Sequence, residues 1–189
     1  MRTYILDFET TDLKADIGTL IVCCFAEVDA DGKIVKMLTE DIQSIGKGKL
    51  EARELKLALW ARDRWTELWA RDRWTEADIL VGQNHLAFDR HFLDGVLFRY
   101  KQDPVPKRIL IDTYQTAKGQ FSMGASMKNL VDIMGVGSKD VPSKDDWRKA
   151  NHGDEDSLAR IRERCISDVH MTNEMWNRLK PTYMRRWGR

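Results

Sequence analysis

The chain has 189 residues and sets 31 Lys and Arg against 30 Asp and Glu, which gives a formal net charge of +1. This balance argues against a strongly basic nucleic-acid-binding protein, and 42% hydrophobic residues suit a globular domain with a well-formed core. The longest apolar run, Leu20–Ala26, has the length of a strand and is far short of a membrane span. No signal-peptide pattern precedes the apolar segment Tyr4–Phe8. We therefore expect one cytoplasmic domain over residues 1–189 without a membrane segment.

Three strands are predicted at the start of the chain. Thr3–Phe8, Leu20–Val28 and Lys33–Thr39 are rich in the apolar and β-branched residues that strands favour. The turn signal Asp29–Gly32 lies between the second and third strands, so we expect these two to form an antiparallel hairpin.

The rest of the sequence alternates helical patterns with short apolar strands, which is typical of parallel strands joined by helical crossovers. The sequence therefore predicts an α/β fold with a mixed five-stranded sheet, an antiparallel hairpin plus parallel strands, flanked by helices. The further predicted elements are the strands Ile79–Gly82 and Arg108–Asp112, the helices Leu50–Glu76 and Leu86–Tyr100, short helices over Ser126–Met134, a loop over Gly135–Lys144, and a final helix Asp154–Leu179 stopped by Pro181.

A tandem duplication interrupts this pattern. Residues 59–67 read LWARDRWTE, and residues 68–76 repeat the same nine letters. On a helix the second copy lies roughly half a revolution away from the first, so the two copies cannot present the same face to one core. Core packing of one tryptophan pair is the favoured interpretation, and a base-stacking platform with the interleaved arginines is the alternative. The pairs expected on the same side are Trp60 with Trp74 and Trp65 with Trp69.

Four acidic residues are candidates for chemistry. Asp7 and Glu9 share one face of the first strand, and two such carboxylates repel each other unless a cation such as Mg²⁺ or Mn²⁺ lies between them. The same pattern also occurs on ordinary polar strand surfaces. Asp89 lies near the start of the predicted helix Leu86–Tyr100, where the helix dipole alone favours an acid. Asp168 lies within an apolar helical pattern, where a partly buried acid needs a cation or hydrogen-bond donors.

Together, these segments resemble the three motifs of the DEDD (DnaQ-like) 3′→5′ exonuclease family. Asp7–Thr11 matches Asp-x-Glu-Thr-Thr, Asn84–Asp89 matches Asn-x-x-x-Phe-Asp, and Cys165–Val169 matches Cys-x-x-Asp-Val. The motifs occur in the family's order and extend over nearly the whole chain. The resemblance implies a ribonuclease H-like fold close to stand-alone relatives of polymerase proofreading domains.

The resemblance also implies a site with two Mg²⁺ or Mn²⁺ ions. Asp7, Glu9 and Asp168 would bind the first ion, and Asp7 would bridge to a second ion held by Asp89. Two such ions would clamp the scissile phosphate at a single-stranded DNA or RNA 3′ end. A polymerase or replication complex is an additional candidate partner. The residues expected to bind the substrate are Thr10, Thr11, Leu13, Asn84 and Phe88.

The chain departs from the family at the residue that orients or deprotonates the attacking water. One subtype has a Tyr four residues before the last Asp, and the other has a His five residues before it. Here these positions are Arg164 and Glu163. Arg164 cannot accept a proton near neutral pH, whereas Glu163 becomes a base only if its pKa is raised. We expect Arg164 to project toward Asp168 and to pair with that carboxylate or with a substrate phosphate. His152 is a further candidate base.

Three functions are therefore compatible with the sequence. The leading hypothesis is a two-metal 3′→5′ exonuclease acting on single-stranded ends, with DNA slightly preferred over RNA. A non-catalytic nucleic-acid-binding module on a degenerate nuclease fold is favoured by the missing Tyr or His, but the presence of all four carboxylates argues against it. A structure-selective endonuclease is the third.

Overall fold

The computed structural model describes most of the chain, and the second copy of the tandem repeat lies outside the described residues. The predictions for Trp69 and Trp74 therefore remain predictions, as does the extension of the first helix to Glu76. The described residues are 3–67, 79–106, 109–121, 124–137 and 141–187, without the side chains of 67, 120 and 184–187.

A mixed five-stranded sheet forms the centre of the fold. Its strands are β1 (Thr3–Thr10), β2 (Leu20–Val28), β3 (Ile34–Asp41), β4 (Ile79–Gly82) and β5 (Ile109–Asp112). The spatial order is β3-β2-β1-β4-β5. The pairs β1–β2 and β2–β3 are antiparallel, whereas β1–β4 and β4–β5 are parallel. The predicted fold class, a mixed sheet with an antiparallel hairpin and parallel strands, is confirmed.

Helices cover both faces of this sheet. They are α1 (Leu50–Glu67), α2 (Asp89–Arg99), α3 (Thr113–Phe121), α4 (Met127–Met134), α5 (Lys144–Asn151) and α6 (Glu155–Trp187). None of the helices in the described part of the chain has the length and apolar character needed to cross a membrane.

The two faces of the sheet pack against different parts of the protein. On one face, Phe8 packs edge-on against Phe25, with 5.7 Å between ring centroids, and Phe25 packs in the same way against Trp60 of α1 at 5.9 Å. On the other face, the Cys165 thiol of α6 donates a hydrogen bond to the carbonyl oxygen of Asp7 at 3.3 Å. Because side chains alternate along β1, the face with Phe8 belongs to the apolar core, and the face with Asp7 lies against α6.

The first copy of the repeat contributes to the core. Trp65 is fully buried, and Trp60 is half-buried against Phe25. Trp65 therefore packs inside the core, as the core-packing interpretation expects, whereas the base-stacking alternative stays a prediction for the half-buried Trp60 and for the second copy of the repeat.

Two parts of the helix prediction were wrong. The final helix does not stop at Leu179 but continues through Pro181 to Trp187. A proline has a φ value that is compatible with a helix, and Tyr183 packs edge-on against Trp176 at 5.6 Å between ring centroids, which holds the following turn in place. The helices α3 and α5 were also missed.

The helix α5 was missed because polar capping, not apolar periodicity, defines it. Ser143 and Asp146 form a capping box, in which the Ser143 hydroxyl accepts from the Asp146 backbone and the Asp146 carboxylate accepts from the Ser143 backbone. This interaction begins the helix at Lys144, where the predicted loop was expected to end.

Asp41, at the end of β3, connects the sheet to α6. Its buried carboxylate accepts hydrogen bonds from the backbone N–H groups of Gln43 at 2.8 Å and Ser44 at 2.9 Å, and it pairs with Arg162. Burial tends to raise the pKa of Asp41, but these donors outweigh burial and hold the pKa below its ordinary value.

We predict that Asp41→Asn lowers the free energy of unfolding at pH 7 by about 1.5–3 kcal/mol, the usual contribution of hydrogen bonds to a charged group. The folded-state pKa is depressed, so this stabilisation is present above the unfolded pKa of about 4 and is lost as the pH falls through the folded value. Urea unfolding measured from pH 7 to pH 3 should show the free energies of unfolding of the wild type and of Asp41→Asn becoming equal as the pH falls.

The matched control is Asp132→Asn, because Asp132 forms an exposed pair with Lys128 at 2.6 Å on α4. This substitution should change stability by less than about 1 kcal/mol. Equal losses in the two variants, or a difference that does not shrink in acid, would show that the Asp41 charge is not what stabilises this junction.

Candidate metal centre

Three carboxylates converge where β1 lies against α6. Asp7 and Glu9 come from the same face of β1, and Asp168 comes from α6. One oxygen atom of each lies within 4.8 Å of the others. The antiparallel pairing with β2 and the parallel pairing with β4 hold β1 from both sides, so this crowding is imposed by the centre of the sheet.

Asp7 shows that the arrangement suits a cation. Burial raises the pKa of Asp7 well above its ordinary value, and the negative charges of Glu9, Asp168 and Asp89 raise it further. Its Oδ2 atom is buried and has no hydrogen-bond partner among the residues described. A hard divalent cation would supply both a partner for this oxygen and compensation for the repulsion. The residues present therefore fit Mg²⁺ or Mn²⁺.

Asp89 lies beside this cluster, at the first residue of α2. Its buried carboxylate accepts a hydrogen bond at 3.0 Å from the backbone N–H of Phe8, the residue between Asp7 and Glu9. Burial raises the pKa of Asp89 to about 7, although the bond from Phe8 opposes this change. The backbone of β1, which carries Asp7 and Glu9, thus also holds Asp89 at the same end of the strand.

Arg164 connects two of the three clustered carboxylates. Its Nε donates to Oε1 of Glu9 at 2.9 Å, and its Nη2 donates to Oδ2 of Asp168 at 3.0 Å. The Arg164 side chain is only 12% exposed. Arg164 does project toward Asp168, as the helical spacing requires, but its contact with Glu9 could not be deduced from the sequence.

The other candidate bases have different surroundings. Glu163 is exposed on α6, and its role as a base stays a prediction. His152 is also exposed, with Nδ1 at 2.8 Å from the carbonyl oxygen of Arg148. His85, which was not predicted to be a base, is buried with Nε2 at 3.1 Å from the carbonyl oxygen of Ile111, and burial lowers its pKa to about 4.

The predicted substrate residues Thr10, Thr11 and Leu13 lie at the end of β1 and in the turn that follows it. The Thr10 hydroxyl donates to the carbonyl oxygen of Asp12 at 2.7 Å, and the Thr11 hydroxyl accepts from the backbone of Thr19 at 2.9 Å. Leu13 extends into solvent with 80% of its surface exposed. An apolar side chain at this position is available to pack against a nucleotide, and this contact stays a prediction.

A second predicted substrate segment precedes Asp89. Asn84 adopts a left-handed backbone with φ of 61°, a conformation that Asn tolerates better than most residues. Phe88 is half-buried and packs against Phe92, with 5.7 Å between ring centroids. This turn delays the start of α2 to Asp89, three residues after the predicted start at Leu86.

Asp112 organises this turn, and no functional role was predicted for it. Its buried carboxylate at the end of β5 accepts hydrogen bonds from the backbone N–H groups of Asn84 at 2.9 Å, Leu86 at 3.1 Å and Tyr114 at 2.8 Å. An acid that ends a short apolar strand was the available signal, but Asn84 and Leu86 lie in a segment almost thirty residues earlier. Asp112 thus fixes the loop that delivers Asp89.

Comparison with known proteins identifies the fold. No protein-family model matches the sequence, and no curated protein matches it. A family B DNA polymerase from the archaeon Pyrobaculum calidifontis aligns with a TM-score of 0.71 and 15% identity over 96% of this chain. Brucella melitensis NrnC with bound Mg²⁺ aligns with a TM-score of 0.58 and 16% identity over 99% of this chain and 75% of its own. The fold is ribonuclease H-like.

A third similar structure is the zinc-bound complex of Escherichia coli ExoI with single-stranded DNA, with a TM-score of 0.55 and 12% identity over 96% of this chain. The ribonuclease H-like chain spans 25% of the polymerase and 41% of ExoI. At these identities the likeness establishes the fold, while membership of the DEDD family remains a resemblance carried by the three motifs.

We predict that Asp112→Ala destabilises this ribonuclease H-like fold by about 2–4 kcal/mol. The substitution leaves several backbone N–H groups without an acceptor, and each such buried group costs about 1–3 kcal/mol. Asp112→Asn should lose less, because it keeps one acceptor oxygen for Asn84 and Tyr114. Urea unfolding of both variants measures the difference, and equal losses would contradict a role for the individual hydrogen bonds.

We also predict that Asp7→Asn stabilises the protein in EDTA by about 0.5–2 kcal/mol, the usual range for stabilising substitutions. The reason is that the amide removes a charge that Glu9 and Asp168 repel. Added Mn²⁺ should then raise the melting temperature of the wild type more than that of the variant. Asp31 is exposed, so Asp31→Asn is the control, and it should change neither the stability in EDTA nor the rise in melting temperature with Mn²⁺. A lower melting temperature of Asp7→Asn in EDTA would show that repulsion does not dominate at this position.

Proposed function

We propose that this chain is a divalent-metal-dependent 3′→5′ exonuclease that hydrolyses phosphodiester bonds at single-stranded nucleic-acid ends, with DNA slightly preferred over RNA. The observation that carries the proposal is the convergence of Asp7, Glu9 and Asp168 within 4.8 Å on a ribonuclease H-like fold. Carboxylates so arranged are the hard oxygen ligands that Mg²⁺ and Mn²⁺ favour. The likeness to NrnC with bound Mg²⁺ and to ExoI with single-stranded DNA supports the same metal and substrate classes.

The four carboxylates would share two cations. Asp7, Glu9 and Asp168 would hold one ion, and Asp7 with Asp89 would hold the other. When bound, the ions would lower the pKa of the attacking water and compensate the charge of the phosphate. The chain contributes the fixed geometry: the N–H of Phe8 orients Asp89, and pairing with β2 and β4 holds Asp7 and Glu9.

The turns beside the carboxylates would receive the 3′-terminal nucleotide. Leu13 is exposed and suited to pack against a base or sugar, and the Thr10 and Thr11 hydroxyls stiffen the turn that carries it. Asn84 and Phe88 would border the nucleotide from the turn before α2. A polymerase or replication complex remains a candidate partner, since the chain matches about a quarter of a DNA polymerase.

The arginine at position 164 would lower the rate of hydrolysis. It stands at the position of the family's Tyr and cannot accept a proton from water near neutral pH. General-base assistance typically contributes about 10²–10⁴-fold. Unless Glu163 takes that role, we expect hydrolysis to be slower than base-assisted hydrolysis by a factor of this order.

A non-catalytic nucleic-acid-binding module is the second candidate function. The observation in its favour is the bridge from Arg164 to Glu9 and Asp168, because an internal cation already stabilises two of the expected ligands. Such a module would bind single strands without hydrolysing them. The presence of all four carboxylates favours the enzyme.

Incubation of 3′-labelled and 5′-labelled single-stranded oligonucleotides with Mg²⁺, Mn²⁺ or EDTA tests the proposal. A 3′→5′ exonuclease releases a labelled mononucleotide from the first substrate and shortens the second stepwise. EDTA should abolish both reactions. Asp168→Asn should slow them by about 10²–10³-fold, because loss of one transition-state-stabilising group costs about 3–4 kcal/mol.

Three other results would each contradict the proposal. Full activity in EDTA would exclude the metal mechanism, and internal fragments would indicate an endonuclease. Tight binding without hydrolysis in either metal would favour the non-catalytic module. DNA and RNA of the same sequence, run in parallel, test the expected slight preference for DNA.

A further inference from the structure

We infer that Arg164 gates metal binding: its guanidinium holds Glu9 and Asp168 in the free protein, and a nucleic-acid phosphate draws it away so that metal and substrate bind together. This inference rests on the proposed function, because it concerns the same carboxylates. It adds a regulatory step that depends on the substrate itself. Metal would bind weakly to the free protein and strongly in the presence of a single strand.

Competition between the guanidinium and a metal ion follows from the contacts. Arg164 lies 2.9 Å from an oxygen of Glu9 and 3.0 Å from an oxygen of Asp168. These two side chains are only 10% and 6% exposed. A divalent cation held by the same two carboxylates would therefore lie close to a positive charge that solvent screens poorly. The guanidinium and a metal ion would therefore compete for Oε1 of Glu9 and Oδ2 of Asp168.

Comparison with its neighbours on α6 sets Arg164 apart. Arg160 pairs with Asp146, and Arg162 pairs with Asp41, and neither of these acids belongs to the metal-binding cluster. Arg164 instead pairs with two of the three clustered carboxylates. Among the described side chains of α6, Arg160, Arg162 and Arg164 each have an acidic partner, and only the partners of Arg164 are expected metal ligands.

A phosphate is the chemical group best able to move Arg164. The planar guanidinium binds phosphate through two parallel N–H bonds, in the same geometry in which it binds carboxylates. The Arg164 side chain is mostly buried, so a phosphate would contact it through the 12% of its surface that is exposed. A phosphate at the site would offer Arg164 a new partner while the divalent cation takes over Glu9 and Asp168.

The expected effect follows from the fraction of protein in which the bridge is open. The apparent affinity for metal equals the affinity of the open protein multiplied by the fraction of molecules in which Arg164 does not bridge Glu9 and Asp168. A bridge that is closed in about 90% of the molecules weakens metal binding by about tenfold. Removal of the guanidinium should recover this factor without any nucleic acid.

The test measures Mn²⁺ binding by the electron paramagnetic resonance signal of the free ion, with wild type, Arg164→Gln and Arg160→Gln. Without nucleic acid, Arg164→Gln should bind Mn²⁺ about tenfold more tightly than wild type, whereas Arg160→Gln should equal wild type. Equal or weaker binding by Arg164→Gln would overturn the inference and leave Arg164 as a structural ion pair.

A second arm adds a nuclease-resistant phosphorothioate oligonucleotide, which keeps the backbone charge. It should tighten Mn²⁺ binding to wild type by about tenfold more than it tightens binding to Arg164→Gln, in which phosphate and ion can still contact each other but no bridge has to open. An uncharged methylphosphonate oligonucleotide of the same sequence should have no such effect. If the charged strand leaves the wild type unchanged, phosphate does not open the bridge, and the gating inference is overturned.

Arg164→Lys keeps the test decisive if Arg164→Gln does not fold. A lysine retains the charge but lacks the planar fork that bridges two carboxylates, so its Mn²⁺ affinity should lie between those of wild type and Arg164→Gln. A wild-type affinity in a folded Arg164→Lys would contradict the importance of the bridge.

The outcome also separates the inference from the proposed function. Tighter Mn²⁺ binding by Arg164→Gln, together with no cleavage of any oligonucleotide, would support the gate and reject the exonuclease. Absence of Mn²⁺ binding in wild type and in both Arg164 variants, with and without the charged strand, would reject the metal centre and the gate together.

Discussion

Mutual repulsion among buried carboxylates at the end of β1 is the constraint on which the rest of the site depends. Asp7, Glu9 and Asp168 lie within 4.8 Å of one another, and a folded chain tolerates this only if positive charge or donors lie nearby. Arg164 supplies the charge, and the backbone of Phe8 supplies a donor to the adjacent Asp89. The folded protein thus keeps three mutually repelling carboxylates close together, with Arg164 and the Phe8 N–H offsetting part of the repulsion.

The sheet makes this arrangement possible. β1 is paired on both sides, and its two faces differ completely: Phe8 belongs to an aromatic cluster, while Asp7 and Glu9 face α6. The apolar face anchors the strand, so the acidic face cannot relax by moving apart. Because the apolar face of β1 is packed in the core, the backbone of β1 is fixed, and this fixes the positions of the charged groups on its other face.

Much of this could be predicted from the sequence, because it depends on local patterns. Alternation of side chains at the end of the predicted strand Thr3–Phe8 placed Asp7 and Glu9 on one face, and helical spacing placed Arg164 near Asp168. Apolar periodicity also gave the five strands and the sheet type. These features follow from residues that are close in the sequence.

The features that escaped prediction depend on contacts between distant segments or on polar capping. The bridge from Arg164 to Glu9 spans 155 positions, and Asp112 accepts hydrogen bonds from a turn almost thirty residues before it. The periodicity of apolar residues does not indicate which polar residues pair over such long sequence distances. The helix α5 begins with a capping box and has few apolar residues. The helix α6 passes through Pro181 because tertiary packing outweighs the local preference of a proline.

The separation of the clustered residues along the chain has a consequence for folding. Asp7 and Glu9 lie on β1, whereas Asp168 lies on α6, far along the sequence. A long loop must close before these carboxylates can approach one another, and closing it costs entropy. The unfolded chain therefore does not present the three carboxylates as one group, and a cation that bound all three together would stabilise the folded state alone.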